Sequence, residues 1–503
     1  WGTLSLQSAT TIKDTASLFI TSSFGTQVEV GDGIAETVGK LFINGVQQAN
    51  GSWGTTDSGA THKDDTLFAG KGKILVTDSP EITAATATWD AGGADTLAST
   101  ADNWADDAVP ALNGTTHAYF GTGGTAAVFN TAANLYGITF NATNDFTVDS
   151  GAGTLAIGAG GITAAIPDTL SRTYTLAGET LLSCDQTWTV TTNLTGTTAL
   201  QVSAAIRNDD VPFGINKEGR GNLSLSGNNS YDGPTCLNAG TLTIAHNNAL
   251  GSTNGPTLIA DGAWIEMKGG ITVDEPLSLP SDASLRWNGG LRATGGSNVW
   301  AGKITSSPAN SRIQCNAGSL DIIGGIEGGQ MCLGGSGGTY LRVSEKPINT
   351  PGNSFFAHTG ILIILAVTNN AWTSLTISGN YVRMDMENVL PVTSTLMLGE
   401  GNMTVASGID LNGHNQTIGQ LTSYTNNTIL NVFSETPATL TVNQTVSSTL
   451  NGNITGLVSL VKMGSGQLTL TRASSTFGSY IVSNGTLAVS ATGALGENST
   501  NIW

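Results

Sequence analysis

The stretch Arg383-Met-Asp385-Met-Glu387 offers the clearest capacity for chemistry. In an extended chain Arg383, Asp385 and Glu387 share one strand face, with Met384 and Met386 buried behind. Two carboxylates two residues apart lie roughly 6.6 to 6.8 Å apart along a strand, within the range that glycoside hydrolysis uses once the side chains adjust. Trp264-Ile-Glu266-Met-Lys268 likewise sets an indole, an acid and a base on one face, where a sugar could stack. A solvated strand face produces the same alternation without any catalysis, and an active site ordinarily gathers more charged groups than either stretch supplies. A polysaccharide-degrading enzyme is therefore the least favoured of three functional readings, and no catalytic residue is assigned.

Other chemical motifs are thinner. His62, His117, His246, His358 and His414 are scattered, and none has a Cys or His at metal-ligand spacing, so no metal and no cofactor is expected. Gly334-Gly-Ser336-Gly-Gly338 matches G-x-S-x-G in letters only, because a nucleophile elbow needs a helix after the serine and no helical period follows. There is no G-x-x-x-x-G-K-[ST] phosphate loop. Trp264, Trp287, Trp300 and Trp372 could form an exposed aromatic row for glycans, or could pack inside. Cys184, Cys236, Cys315 and Cys332 show no C-x-x-C spacing. Cys315 and Cys332 are close enough in sequence to lie on neighbouring strands and to be oxidised outside the cell, the alternative being isolated small core residues. Thirteen N-x-S/T sites permit glycosylation without establishing it: Asn50, Asn113, Asn141, Asn193, Asn222, Asn228, Asn402, Asn415, Asn426, Asn443, Asn453, Asn484 and Asn498.

Composition states what must position such groups. Glycine is 66 of 503 residues, about 13% where ~7% is usual, and charged residues are 11% where about 25% is usual. Thr, Ser, Asn and Gly take the place of charge, which is the vocabulary of strands and turns. Hydrophobic residues at 39% are too many for disorder, and 503 residues exceed one ordinary core, which leaves several domains or a repeat array. A net charge of −18 excludes nucleic acid and anionic lipid as partners. The longest apolar run, from Gly360 to Val367, is far below the ~20 residues of a membrane helix.

The repeat is explicit. Residues 217–251 align without gaps on 462–496 at a constant offset of 245, with agreement at Lys217/Lys462, Gly219/Gly464, Gly221/Gly466, Leu223/Leu468, Leu225/Leu470, Gly240/Gly485, Leu242/Leu487 and five further positions. Each copy reads as an alternating strand, a Gly/Asn/Ser turn, a second alternating strand and a closing turn. Gly153 to Ile157, Gly318 to Ile323 and Ala438 to Val442 share this grammar. Short strands that can bury an apolar face only by stacking on the next unit predict an all-β, elongated parallel β-solenoid, with tandem β-sandwich domains as the alternative.

Both copies resemble the autotransporter-associated β-strand repeat, Lys-x-Gly-x-Gly-x-Leu-x-Leu-Ser-Gly-x-Asn-x-Tyr. The first carries the whole pattern, including Gly227, Asn229 and Tyr231; the second has Arg472 for the Gly, and its aromatic slips to Phe477. Trp89-Asp90, Asp102-Asn103-Trp104, Val109-Pro110 and Gly137 to Phe140 resemble the opening of modules in large repeat-rich bacterial surface proteins. The segment Ile409 to Leu421 resembles what precedes a repeat there, and Phe42 to Val76 resembles a module's close. The resemblance implies a secreted, surface-displayed β-structure and is nearly silent about chemistry.

The preferred reading is an extracellular structural protein, the second a surface adhesin or glycan-binding passenger. The opening signature begins near Thr88, so 1–79 reads as the second half of a module, followed by a module-opening region at 84–215, a central repeat region at 216–395 and an incomplete module at 396–503. Two half-modules would each be poor cores with open strand edges. The expected partners are copies of the same chain, 1–79 of one packing on about 440–503 of the next to build a head-to-tail filament, with glycans as further candidates.

Overall fold

The computed structural model describes residues 2–20, 27–78, 84–121, 123–166, 170–192, 198–281, 290–358, 360–379, 381–401, 406–424 and 427–496. They divide into two compact units, Trp1–Thr257 and Leu258–Trp503. Both are all-β. Among the described residues the only helical turns are the 3-10 segments Thr56–Ser58 and Ala101–Asn103.

In the first unit, from residue 85 on, one column of parallel strands runs Ala85–Trp89, Thr116–Phe120, Ala133–Phe140, Leu155–Ala164, Gln186–Val190, Ile215–Glu218 and Thr235–Leu237. A second runs Ala126–Val128, Phe146–Asp149, Arg172–Ala177, Thr198–Val202, Asn222–Leu225 and Thr241–Ile244. The second unit repeats the scheme. One column climbs through Met331–Gly334, Ser354–His358, Ser374–Ser378, Thr395–Leu398 and Gln420–Ser423. Its neighbour climbs through Tyr340–Ser344, Leu362–Ala366, Tyr381–Met384, Gly408–Asp410 and Thr428–Asn431. In-register parallel stacking is the β-solenoid, and tandem antiparallel sandwiches are ruled out for these columns.

Alternation explains the stack. Leu223 and Leu225 are fully buried between half-buried Asn222 and Ser224, and each lies directly under its counterpart, Leu223 on Leu242 and Leu225 on Ile244. Each such Leu contributes roughly 2 kcal/mol by leaving water. The turn after each strand needs a left-handed residue: Gly219, Gly240, Gly464 and Gly485 have φ of 77°, 74°, 74° and 74°. A Cβ on Gly219 would sit 2.3 Å from the Val190 carbonyl oxygen of the rung before.

The second copy of the repeat corrects one expectation. Phe477 is 52% exposed and does not replace Tyr231. At the offset of 245, Tyr231 and Thr235 become Thr476 and Tyr480, and all four are buried. The ring and the small hydroxyl have changed places across one turn, so the core keeps its volume. In the first copy the Tyr231 and Thr235 hydroxyls bond at 2.6 Å; in the second Thr476 donates to the Val458 carbonyl at 2.6 Å.

The module-opening signature is a lid on the first column. Trp89 and Trp104 meet edge to face at 5.3 Å, with Phe120 beneath both. Asn103, fully buried, donates to Asp95 and to the Leu97 carbonyl and accepts from Gly93 N–H. This draws the chain across the outer edge of Ala85–Trp89, a strand that would otherwise stand open.

The segment before residue 79 also departs from expectation, because it is not a poor core. Leu6, Val30, Val38, Leu41, Ile74 and Val76 are fully buried in a cluster of their own. Three small sheets surround it, and two of them include antiparallel pairs: Lys73–Val76 with Gly51–Gly54, and Lys40–Ile43 with Val46–Gln47. The segment leans on its own unit: Lys73 Nζ lies 2.8 Å from Asp210, Ser52 donates to the same carboxylate at 2.6 Å, and Asn50 donates to the Ser183 carbonyl.

The exchanged pair yields a double-mutant test. Tyr231→Thr alone opens a cavity and should cost roughly 3 kcal/mol, and Thr235→Tyr alone overpacks the rung at about 1–3 kcal/mol. Because the second copy already uses the swapped arrangement, the double variant should recover at least about 1 kcal/mol relative to the sum of the singles in denaturant titration.

Candidate functional site

The invariant polar centre of the two repeats is a lysine turned inward. Lys217 shares strand parity with Ile215, so it points into the core, and its side chain is fully buried. Its Nζ donates to the carbonyls of Glu218, Gly219 and Ala239 at 3.0, 2.7 and 3.0 Å. Lys462 does the same to Met463, Gly464 and Asn484 at 2.6, 2.9 and 3.4 Å, the same three positions shifted by 245. Each ammonium thus ties its own turn to the turn one rung on. Burial pushes Lys217 down to about 8 while Glu218 opposes this, and the carbonyl cage also favours the charged form. Sequence reading identified these lysines as repeat markers and missed their task; the parity with Ile215 was the signal.

The carboxylates singled out in the sequence lie on the outer face of the second unit. Arg383 grips Asp385 with two hydrogen bonds, 2.7 and 3.1 Å, and Asn412 of the next rung donates to the same carboxylate at 3.0 Å. Glu387 accepts from Asn415 N–H at 2.8 Å and lies 3.8 Å from His414 Nδ1. Both acids are anchored to the following rung instead of facing each other across a cleft. The strand ends at Met384, so Met386 is 42% exposed and not buried behind the acids. The carboxylate that sequence reading passed over is Asp410, in register with Arg383. Ser336 lies in the connection between two strands, with no helix following it in the described residues. Among the described residues no three His, Cys, Asp or Glu side chains gather as a metal site would require.

Among the described residues the candidate tryptophans form no exposed row. Trp300 is fully buried, Trp264 lies under the Arg292 guanidinium at 4.1 Å, and Trp287 lies outside the described residues. Trp372 is 4% exposed and packs on Phe355 at 5.0 Å, yet its remaining edge lines a groove of about 630 Å³ together with Pro351, Asn369, Asn388, Pro391 and Val392. Cys315 and Cys332 are buried on adjacent strands; Cys332 is level with Arg312, three positions from Cys315. That offset is roughly 10 Å of strand, beyond the reach of a disulfide, so the pair takes the alternative role of separate core residues. Of the sequons, Asn113, Asn141, Asn228, Asn415, Asn443 and Asn484 are exposed, Asn50, Asn222 and Asn453 are half-buried, and Asn193, Asn402, Asn426 and Asn498 lie outside the described residues.

Fold and site together define a parallel β-solenoid whose repeat is organised around a buried lysine. The family model of the passenger-associated-transport-repeat matches at residues 215–244 and 460–489, the two segments that hold those lysines. The chain therefore carries the β-strand repeat of autotransporter passengers. It is also similar, at 28% identity over 182 residues, to the adhesin BmaC autotransporter of Brucella suis biovar 1 (strain 1330). That match takes in 34% of this chain and only 5% of the adhesin. No solved structure matches the chain significantly. Repeat and relative locate the protein at the bacterial surface or outside the cell. No helix among the described residues is long and apolar enough to cross a membrane.

Two expectations follow. Lys217→Met leaves three buried carbonyls without their shared donor and should cost roughly 3 kcal/mol in denaturant unfolding, with Lys462→Met behaving alike. The second concerns acid. Burial raises Asp321 and Asp410 above the ordinary carboxylate value, partly opposed by Arg342 for the first and by Asn412 and Arg383 for the second. Their stabilising effect is full below the unfolded value and is lost as pH rises through the folded one. In the first unit Arg207 lowers Glu179, and Ser252 lowers Asp232, so there stability is present above the ordinary value and lost as pH falls. Amide exchange between pH 3 and 6 (about the carboxylate range) should show protection in the first unit falling on acidification while that around Asp410 holds or rises. Asp410→Asn should flatten the second trend.

Proposed function

We propose that this chain is a section of a surface adhesin passenger, a non-enzymatic solenoid that holds binding loops away from the cell. The observation that carries this reading is the repeated lysine-centred turn at 215–244 and 460–489, the repeat named for transported passengers, together with the similarity to an autotransporter adhesin. The buried columns supply stiffness, and exposed turn residues such as Asn369 and Asn388 face outward. The exposed sequons remain candidates for glycosylation, and 84–215, 216–395 and 396–503 are read as a module-opening region, a central repeat region and an incomplete module. Beads coated with the folded chain should adhere to epithelial monolayers or matrix-coated glass more than beads carrying the heat-unfolded chain. Equal retention of both would count against an adhesin.

A head-to-tail filament is the second reading. Thr3–Leu6 and Thr486–Val489 share the pattern Thr-Leu-x-Leu/Val, and among the described residues each is paired along one edge only. Leu4 is 43% and Val489 46% exposed, apolar area that a neighbouring rung would cover. Electron microscopy of the purified chain should then show fibres, and Leu4→Lys should abolish them; a uniform population of single particles speaks for the adhesin reading alone.

A further inference from the structure

Three features describe the groove beside Trp372. No charged side chain lines it: its walls are indole, proline, valine, threonine hydroxyls and asparagine amides. Trp372 Nε1, on a side chain more than nine-tenths buried, has no hydrogen-bond acceptor among the described residues. The nitrogen itself is buried, so it is the apolar part of the indole that Trp372 presents to the groove. Third, Asn369 and Asn388 stand exposed on successive rungs in the left-handed region, φ 62° and 49°, and neither carboxamide is engaged within the described residues.

The groove is held rigid from below. Asn370 accepts from Ile348 N–H at 2.8 Å and donates to the carbonyls of Val367 and Val389 at 2.7 and 3.0 Å, clamping three rungs. Gln416 Oε1 accepts from both Val389 and Leu390 N–H at 2.9 and 3.2 Å. A surface whose supports are fully bonded loses little freedom when it binds.

From these features we infer that the groove binds a neutral oligosaccharide, an inference that rests on the adhesin reading and gives it a site. Each carboxamide offers both a donor and an acceptor, the complement of a sugar hydroxyl. The apolar floor of Trp372, Pro351 and Pro391 suits the C–H face of a pyranose. Rungs repeat at about 4.8 Å, close to the length of one sugar ring, so Asn369 and Asn388 can meet successive residues of a linear chain. The absence of charge in the lining disfavours uronates and sulfated glycans, which would call for arginine.

Calorimetry on the full chain with gluco-, manno- and galacto-oligosaccharides tests this, with a uronate oligomer and a proline-rich peptide as comparison probes. Glycine tolerates positive φ, so Asn369→Gly with Asn388→Gly removes both carboxamides without straining the backbone. That double variant should bind its neutral oligosaccharide roughly tenfold more weakly, the loss of one to two hydrogen bonds. Val392→Arg, at an exposed wall position, should abolish binding while leaving circular dichroism unchanged. Asn310→Gly, the same exchange at another positive-φ site, should change nothing. Failure of every neutral probe, undiminished binding by both groove variants, or binding of the uronate or peptide alone would each overturn the site. The bead assay separates the two levels: adhesion that survives Val392→Arg removes this groove but keeps the adhesin, whereas no adhesion by the unaltered chain removes the adhesin reading itself.

Discussion

Every rung of a solenoid must turn corners, and at each corner backbone groups face inward where no strand can pair them. Strand ladders satisfy the flat faces and leave this problem untouched. Leaving a buried amide or carbonyl unpaired costs a few kcal/mol, so a stack of rungs cannot bear many such corners. This chain resolves them with buried polar side chains that reach from one rung to its neighbours. Lys217 and Lys462 each serve three carbonyls. Asn427 donates to the carbonyls of Leu398 and Tyr424 and accepts from Ser407 N–H; Asn431 bonds Gly413, Thr436 and Leu457. Gln186 reaches the carbonyls of Ile157, Gly158 and Cys184. The unusual composition follows from this requirement. Asparagine and glycine are abundant because corners consume them, and charge is scarce because a folded rung has few places to solvate it.

How much of this was legible depends on which periodicity carries the information. Strand alternation is local, so the buried Leu223 and Leu225 and the all-β class can be read from neighbours in sequence. The offset of 245 makes the repeat visible without any structure. What joins one rung to the next has no fixed spacing, because rungs vary in length. Asn370 reaches Val389, 19 residues on, and Gln416 reaches back 27 residues to Val389; no sequence pattern announces either. The exchange of Tyr231 and Thr235 for Thr476 and Tyr480 shows the same limit. The aromatic residue nearest the expected position, Phe477, is the wrong one, because the packed volume of the turn is conserved and the position is not.

The core of the segment before residue 79 is hard to see in the sequence for a related reason. Its motifs resemble the end of a module, and a fragment of a solenoid ordinarily lacks neighbours to bury its apolar face. Here two antiparallel returns fold the chain back on itself, so Leu41 and Ile74 find partners locally. The contacts to Asp210 and Ser183 then need only hold a body that is already folded.

A division of labour between inward and outward residues decides where function can reside. Inward positions are fixed by stacking, and outward positions on the strands are drawn into rung-to-rung ties, as Asp385 and Glu387 are by Asn412 and Asn415. A carboxylate already bonded to a guanidinium and an amide has little left to offer a substrate, which argues against catalysis on the strand face more strongly than the spacing of the two acids argues for it. The turns are different. The turn at 367–370 is held at its base by Asn370, while the exposed Asn369 carboxamide is not engaged within the described residues. At the corner beside Trp372 the asparagine-rich sequence divides the work between neighbours: Asn370 pins the turn through the Val367 and Val389 carbonyls, and Asn369 beside it faces outward.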